Sequence, residues 1–372
     1  MKIFVQDNLS AFGGLGKKTI YGWTRASSML PQIDIKDLTR DELILWLKSR
    51  DIKSYRANQI LKWIYLRQTD TFDMMTDIKK EIRKDLSQYF SIQRLEKTRV
   101  EISQDGTKKY LLKLRDGKHI ESVLIPEEDH YTLCISSQVG CAQDCQFCLT
   151  AKGGFIRNLT KGEIIAQVRD IAHDIVGPKR LTNIVMMGMG EPLANLSNVI
   201  DSISVITDSE IGLGFSSRRV TVSTSGLVPR LFELGRKTTV NLAISLNATE
   251  DKTRDILMPI NRKYPIENLL NACSKYPLMP RRRITFEYIL LKGVNDSKED
   301  AKRLIRLLKP IRAKINLIPF NTYEGSKFEC PEESVILKFK EFLSKNNYTT
   351  IVRYSKGQDI FAACGQLSAN LM

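Results

Sequence analysis

With 372 residues, 42% of them hydrophobic, the chain suits one large α/β unit with an appended module, and no stretch approaches the roughly 18 consecutive apolar residues of a membrane helix. Lys and Arg outnumber Asp and Glu by 57 to 42, and the resulting charge of +15 favours a polyanionic partner through phosphate neutralisation, with an inert basic surface as the plainer alternative. Seven cysteines, an odd number and clustered, with no compact apolar leader ahead of them, argue against a secreted disulfide scaffold and for metal chemistry in a reducing cytosol.

Residues 1–33 show no clear period, contain the pair Gly13-Gly14 and carry the single acid Asp7. They read as a loosely ordered extension, with an organelle presequence as the weaker alternative. From 34 to 96 the period is helical. Thr39 and Glu42 form a capping box ahead of Leu43, Ile44 and Leu47, and "NQILKWIYLRQ" and "DIKKEIRKDLSQYF" follow. Trp46 and Trp63 read as core of this small helical module, and Lys79, Lys80, Arg83 and Lys84 as a solvated face that is also suited to phosphate.

Between 97 and 130, Asp105-Gly106 and Asp116-Gly117 separate the strand-like runs "TRVEIS", "KKYLLKL" and "HIESVLIP", a pair of hairpins. From 131 to 372, apolar runs alternate with helical patterns: "YTLCIS", "LTNIVMMG", "RVTVST", "VNLAISLN", "RITFEYIL", "KINLIPF" and "TTIVRYS". Strands apolar on both faces and separated by helix-length segments predict a parallel sheet, with helix starts at Thr160/Glu163 and Ser297/Asp300. About six units leave either a partial barrel or an open sheet. In both, chemistry gathers at the C-terminal strand ends.

The cysteine cluster lies just beyond the first of those ends. Cys141, Cys145 and Cys148 are spaced C-x3-C-x2-C, and three thiolates in one loop suit zinc or an iron–sulfur cluster. His130 and Cys134, nearby in sequence, lack the spacing of a tight fourth zinc ligand. A cubane held by three cysteines leaves one iron open to a small-molecule amine and carboxylate.

The triad with Phe147 before its last cysteine resembles the radical S-adenosylmethionine superfamily, and later segments agree. "MGMGEP", with Gly190 and Glu191, resembles the contact to the methionine amino group. "VSTSG" with Ser223 and "AISLN" with Ser245 and Asn247 resemble contacts to carboxylate and ribose, and "IPFN" with Asn321 the contact near adenine. The flanks "ESVLIPE", "TLCISSQVGC", "GFIRNLT", "MPINRKYPIE" and "DIFAACGQL" resemble, more closely, the bacterial dual-specificity adenine-C2 methyltransferases of 23S rRNA and tRNA, from about residue 35 to 368.

This resemblance implies an α/β fold, a partial (β/α)6 barrel with an N-terminal helical module and a hairpin linker. It also implies one 4Fe-4S cluster on Cys141, Cys145 and Cys148, and two S-adenosylmethionine molecules per turnover. Cys364 would take a methyl group from the first, lose a hydrogen from that methyl to a radical made from the second, and add the methylene to C2. Cys134 would then release the product by forming a transient disulfide with Cys364, and Glu121 would act as general base. Cys273, Cys330 and the three histidines receive no role. Asn247 and "NTYEG" depart from the commoner forms of their motifs.

The implied partners are 23S rRNA, an adenosine 3′ of the anticodon in tRNAs, and an electron donor such as a flavodoxin, for a cytoplasmic monomer. Arg281, Arg282 and Arg283, with the basic module, are candidates to hold RNA phosphates while the base is exposed, with a solvated turn after Pro280 as the equal alternative for the arginines. The nearest alternative is the C8 adenosine methyltransferase that confers antibiotic resistance. A non-catalytic iron–sulfur RNA sensor is the alternative from another class, and it leaves Cys134 and Cys364 unexplained. A radical enzyme acting on protein glycyl sites fits the charge poorly.

Overall fold

The computed structural model describes residues 32–368, so the extension expected over 1–33 lies almost wholly outside the described residues. One ten-stranded sheet organises the rest. In chain order its strands are β1 (Glu96–Ile102), β2 (Lys108–Lys113), β3 (His119–Pro126), β4 (His130–Cys134), β5 (Arg180–Met186), β6 (Val220–Thr224), β7 (Asn241–Ser245), β8 (Ile284–Leu290), β9 (Ala313–Pro319) and β10 (Thr350–Val352). Spatial order follows chain order throughout.

From β1 to β4 each neighbouring pair is antiparallel, and from β4 to β10 each is parallel. Both Asp-Gly turns join strands as expected, Gly106 and Gly117 taking φ values of 82° and 79° that a side chain disfavours. The hairpins are continuous with the main sheet, because β3 pairs Val123 with Cys134 of β4. The sheet stays open, β1 and β10 being its edges.

Each of the six parallel crossovers carries helix, as a parallel sheet requires. All three expected capping boxes form, at Thr39/Glu42, Thr160/Glu163 and Ser297/Asp300. The core beneath the crossovers includes Ile184, Val222, Ile244, Phe286 and Leu317, all fully buried. Among the described residues no helix is long and apolar enough to cross a membrane.

Helices α1 (Arg40–Lys48), α2 (Arg56–Tyr65) and α3 (Lys80–Tyr89) form a second core around Leu43, Trp46, Ile60 and Ile64, completed by Ile165 from the first crossover helix, Lys161–Ala172. Trp46 is buried edge-on against Phe90, with ring centroids 5.0 Å apart. Trp63 is only half-buried: its Nε1 donates to Asp77, and Arg67 lies over its ring.

Arg169, on that crossover helix, clamps the module to the sheet. Its guanidinium is fully buried, donates to the carbonyls of Ile64, Gln68 and Thr69, and pairs with Asp70 and Asp170. Arg169→Ala is expected to cost about 3–5 kcal/mol, because it strands the buried Asp170 carboxylate and several carbonyls. The urea unfolding midpoint reads this directly, and Arg169→Lys should recover little, since an ammonium cannot reproduce the fork.

Candidate functional site

The C-terminal ends of β4 to β9 open onto a cleft. The three cysteines of the triad line one side and Gly190, Glu191, Ser223, Ser245 and Asn247 the other; Cys364 closes it. Nine of the twelve residues singled out in the sequence thus share one cavity.

Close backbone approaches build this wall. Gly140, at φ 73°, ends a short strand paired with Phe155–Asn158, and a Cβ there would stand 1.9 Å from the carbonyl oxygen of Gly154. The adjacent Cys141 N–H donates to that same carbonyl, which fixes where the triad loop begins. Gly190, at φ 99°, would place a Cβ 2.5 Å from the Gln138 side chain, so only glycine lets the β5 end lie against this loop.

The Glu191 carboxylate is buried, one oxygen accepting from the Leu193 N–H and the other from the N–H and hydroxyl of Ser225. Burial pushes its pKa up, against those hydrogen bonds. Arg254, fully buried, donates to the carbonyls of Leu246, Ser225 and Ser245 and to Asn261 Oδ1, tying the ends of β6 and β7 together. Asn247 lies in the left-handed region at φ 58°. Its amide accepts from the Ile289 N–H and donates to Met258 Sδ, which fixes the side chain in the cleft wall.

The triad passes a test for a cluster better than one for a single ion. Two thiolates on one zinc stand roughly 3.8 Å apart. Among the described residues, no three Cys, His, Asp or Glu side chains converge closely enough to hold one metal ion. The three sulfurs nonetheless line one cavity, as suits a group whose irons each take a separate thiolate. Burial raises Cys141 to about 12 and Cys145 well above the usual thiol value, each pushed further by Cys148. Such thiols ionise readily only beside a cation.

A second cavity adjoins the first, and Cys364, Glu287 and Ile318 line both. Cys134 lies in its wall, with Arg353, Tyr354 and Lys356 beyond. Burial, and the nearby Cys364, push the Cys134 thiol up. Cys364 is open to the cleft, yet enough protein surrounds it that desolvation raises its thiol, with Arg353 opposing. The disulfide implied by the resemblance is not formed: all seven cysteines are free thiols.

Glu121 and Asn321 lie outside both cavities. One oxygen of Glu121 accepts from the Ser368 N–H at 2.7 Å and the other faces Lys109 at 3.7 Å, so the carboxylate anchors the C-terminal segment. Asn321 likewise holds that segment, donating to Ser355 Oγ and the Cys364 carbonyl. Asp105, read as a turn residue, accepts from the Gly357 N–H, and Leu149 N–H donates to the Gly365 carbonyl. Hairpin, triad loop and β9 together therefore hold the Cys364 loop.

Arg281, Arg282 and Arg283 precede β8 at the N-terminal end of the sheet, opposite the cleft, where Arg282 donates to the Thr239 carbonyl and Arg283 to Thr349. Arg281 is exposed there, and the cations lining the second cavity are Arg353 and Lys356. Sequence reasoning missed Ser225, Arg254 and Glu287. Glu287 left a signal, a carboxylate inside the otherwise apolar run "RITFEYIL".

Residues 33–92 match the family of the ribosomal RNA large subunit methyltransferase N-terminal domain, and residues 135–307 the radical SAM superfamily. The chain is 58% identical over 345 residues to a dual-specificity RNA methyltransferase RlmN of Desulfosudis oleivorans, spanning 93% of each. It is 55% identical over 339 residues to the corresponding protein of Geobacter sulfurreducens, spanning 91% of this chain and 93% of that one. The crystal structure of a radical SAM methyltransferase from Sphaerobacter thermophilus is similar with a TM-score of 0.85 and 43% identity, covering 91% of this chain and 100% of that one.

Proposed function

The chain belongs to the RlmN family of dual-specificity RNA methyltransferases within the radical SAM superfamily, and on that premise we propose that it methylates C2 of an adenosine in 23S rRNA and of the adenosine 3′ of the anticodon in tRNAs. The observation that carries the reading is the position of Cys364, which lines both the cleft with the cysteine triad and the cavity with Cys134. A sulfur so placed can accept a methyl group from one side and present it to a base on the other.

Cys141, Cys145 and Cys148 would hold a 4Fe-4S cluster, which with S-adenosylmethionine, two molecules per turnover, supplies both the methyl group and the means of removing one of its hydrogens. The protein's part is placement. Glu191 and the ends of β6 and β7 orient the cofactor beside the triad, and Phe147 and Met258 exclude water from the cleft. Cys364 serves as the nucleophile that carries the carbon to C2, which is not itself nucleophilic. Cys134, in the shared cavity, takes up the Cys364 sulfur when the methylated base departs.

Arg353 and Lys356 at the cavity mouth suit the phosphates flanking an everted nucleotide, and the helical module over 34–96 adds a second grip on folded RNA. In this reading the enzyme is a cytoplasmic monomer, reduced by a donor such as a flavodoxin.

Anaerobic turnover of the reconstituted enzyme with unmodified rRNA and tRNA fragments, followed by nucleoside mass spectrometry, is expected to give C2-methyladenosine in both. A C8 product, or no product with S-adenosylmethionine intact, overturns the reading.

A further inference from the structure

Glu287 sits on β8 between the two cavities and lines both, although only 5% of it is exposed. Asn316, its neighbour across the sheet in β9, donates from Nδ2 to Oε1 at 3.0 Å. No hydrogen bond or ion pair within the described residues engages Oε2, which is nonetheless not sealed from solvent-sized space as the buried unpartnered atoms of the protein are. A carboxyl buried in an apolar strand with one oxygen held and the other turned to a cavity is costly unless a ligand completes it.

We infer that Glu287 contacts the adenine ring of the target nucleotide, through the carboxyl oxygen that Asn316 leaves free. The inference rests on the proposed function, and the structure narrows the choice of ligand. Cys364 lines the same two cavities, and its carbon must bond to C2 of the base, so a group on this wall faces the ring nitrogens that flank C2. Glu121, the carboxylate that the sequence points to, is turned away to Ser368. Glu287 is thus the buried carboxylate common to Cys364 and both cavities.

Burial raises the pKa of Glu287 against the opposing charge of Arg353. In its neutral form the carboxyl donates from Oε2–H to a ring nitrogen beside C2, and Oε1 keeps its bond from Asn316. That bond withdraws electron density from the amidine carbon as the carbon–carbon bond forms and selects a base with an acceptor nitrogen at that place.

The test pairs a variant with an altered substrate. Glu287→Gln keeps both the acceptor for Asn316 and a donor to the ring nitrogen and should retain most activity, whereas Glu287→Leu keeps neither. Glu287→Leu is expected to lower kcat/KM for RNA by roughly 10- to 100-fold, with cluster content, S-methylation of Cys364 and the KM for S-adenosylmethionine unchanged. The unaltered enzyme should show a similar loss with RNA carrying 1-deazaadenosine or 3-deazaadenosine at the target, for whichever nitrogen is the acceptor. With that RNA Glu287→Leu should lose little more.

Full activity on both deaza substrates would overturn the inference. So would a parallel loss of Cys364 methylation and S-adenosylmethionine affinity in Glu287→Leu, which would place the residue on the cofactor. Failure of the proposed function itself would look different: the unaltered enzyme would give no C2 product from ordinary RNA.

Discussion

Replacing Cys364 with alanine is expected to abolish C2 methylation of either RNA, a loss on the order of 10⁴-fold or more, as when a covalent nucleophile is removed. The side chain is open to the cleft and its loop is held by backbone bonds that alanine keeps, including Leu149 N–H to the Gly365 carbonyl. Stability and cluster content should therefore be unaffected, which separates a chemical role from a structural one. Cys134→Ala is expected to fail later in the reaction. With no thiol in the shared cavity to take up the sulfur, the enzyme should accumulate joined to RNA through Cys364, visible as a slower-migrating species that nuclease collapses. Equal activity of Cys364→Ala and the unaltered enzyme, in cluster-replete samples, would remove the sulfur from the reaction.

Arg254→Ala should have the largest effect on stability of any single change at the cleft, about 3–5 kcal/mol. Its guanidinium, fully buried, satisfies carbonyls from the ends of β6 and β7 as well as Asn261. Burial draws its pKa down to about 10, so it stays charged at neutral pH, and its loss takes a charged donor from four buried acceptors. Chemical denaturation would show this as a lower midpoint at nearly unchanged slope. Because the same carbonyls belong to the strand ends that bear Ser225 and Ser245, affinity for S-adenosylmethionine should weaken in the folded fraction. Arg254→Lys should recover only part of either loss.

Local features of the fold were legible because they are encoded locally. The Asp-Gly turns, the capping boxes and the apolar runs each depend on neighbours a few residues away, and each became the element expected. The cysteine triad and the glycine–glutamate segment were legible for a related reason. Their spacing is the geometry, and Gly140 and Gly190 permit approaches that no other residue allows.

Glu121 and Asn321 show where such reading stops. A motif placed each at the correct strand but could not say which way its side chain would bond. Glu121 finds its partner 247 residues later in Ser368, and Asn321 bonds the loop of Cys364, 43 residues on. For the arginine run before β8 the charge was plain, but only the sheet direction puts it at the end away from the cleft. Glu287 is the converse, a residue whose anomaly was visible in the sequence and whose meaning needed the two cavities.

The central claim is that the transferred carbon passes through the sulfur of Cys364 and gives up one hydrogen on the way. Anaerobic turnover with methyl-trideuterated S-adenosylmethionine, read by mass spectrometry of the product nucleoside, tests it most directly. Two deuteriums in the new C2 methyl group, with the third recovered in deoxyadenosine, is the result the account predicts. Three deuteriums retained would mean that the methyl group arrived whole, and would contradict it.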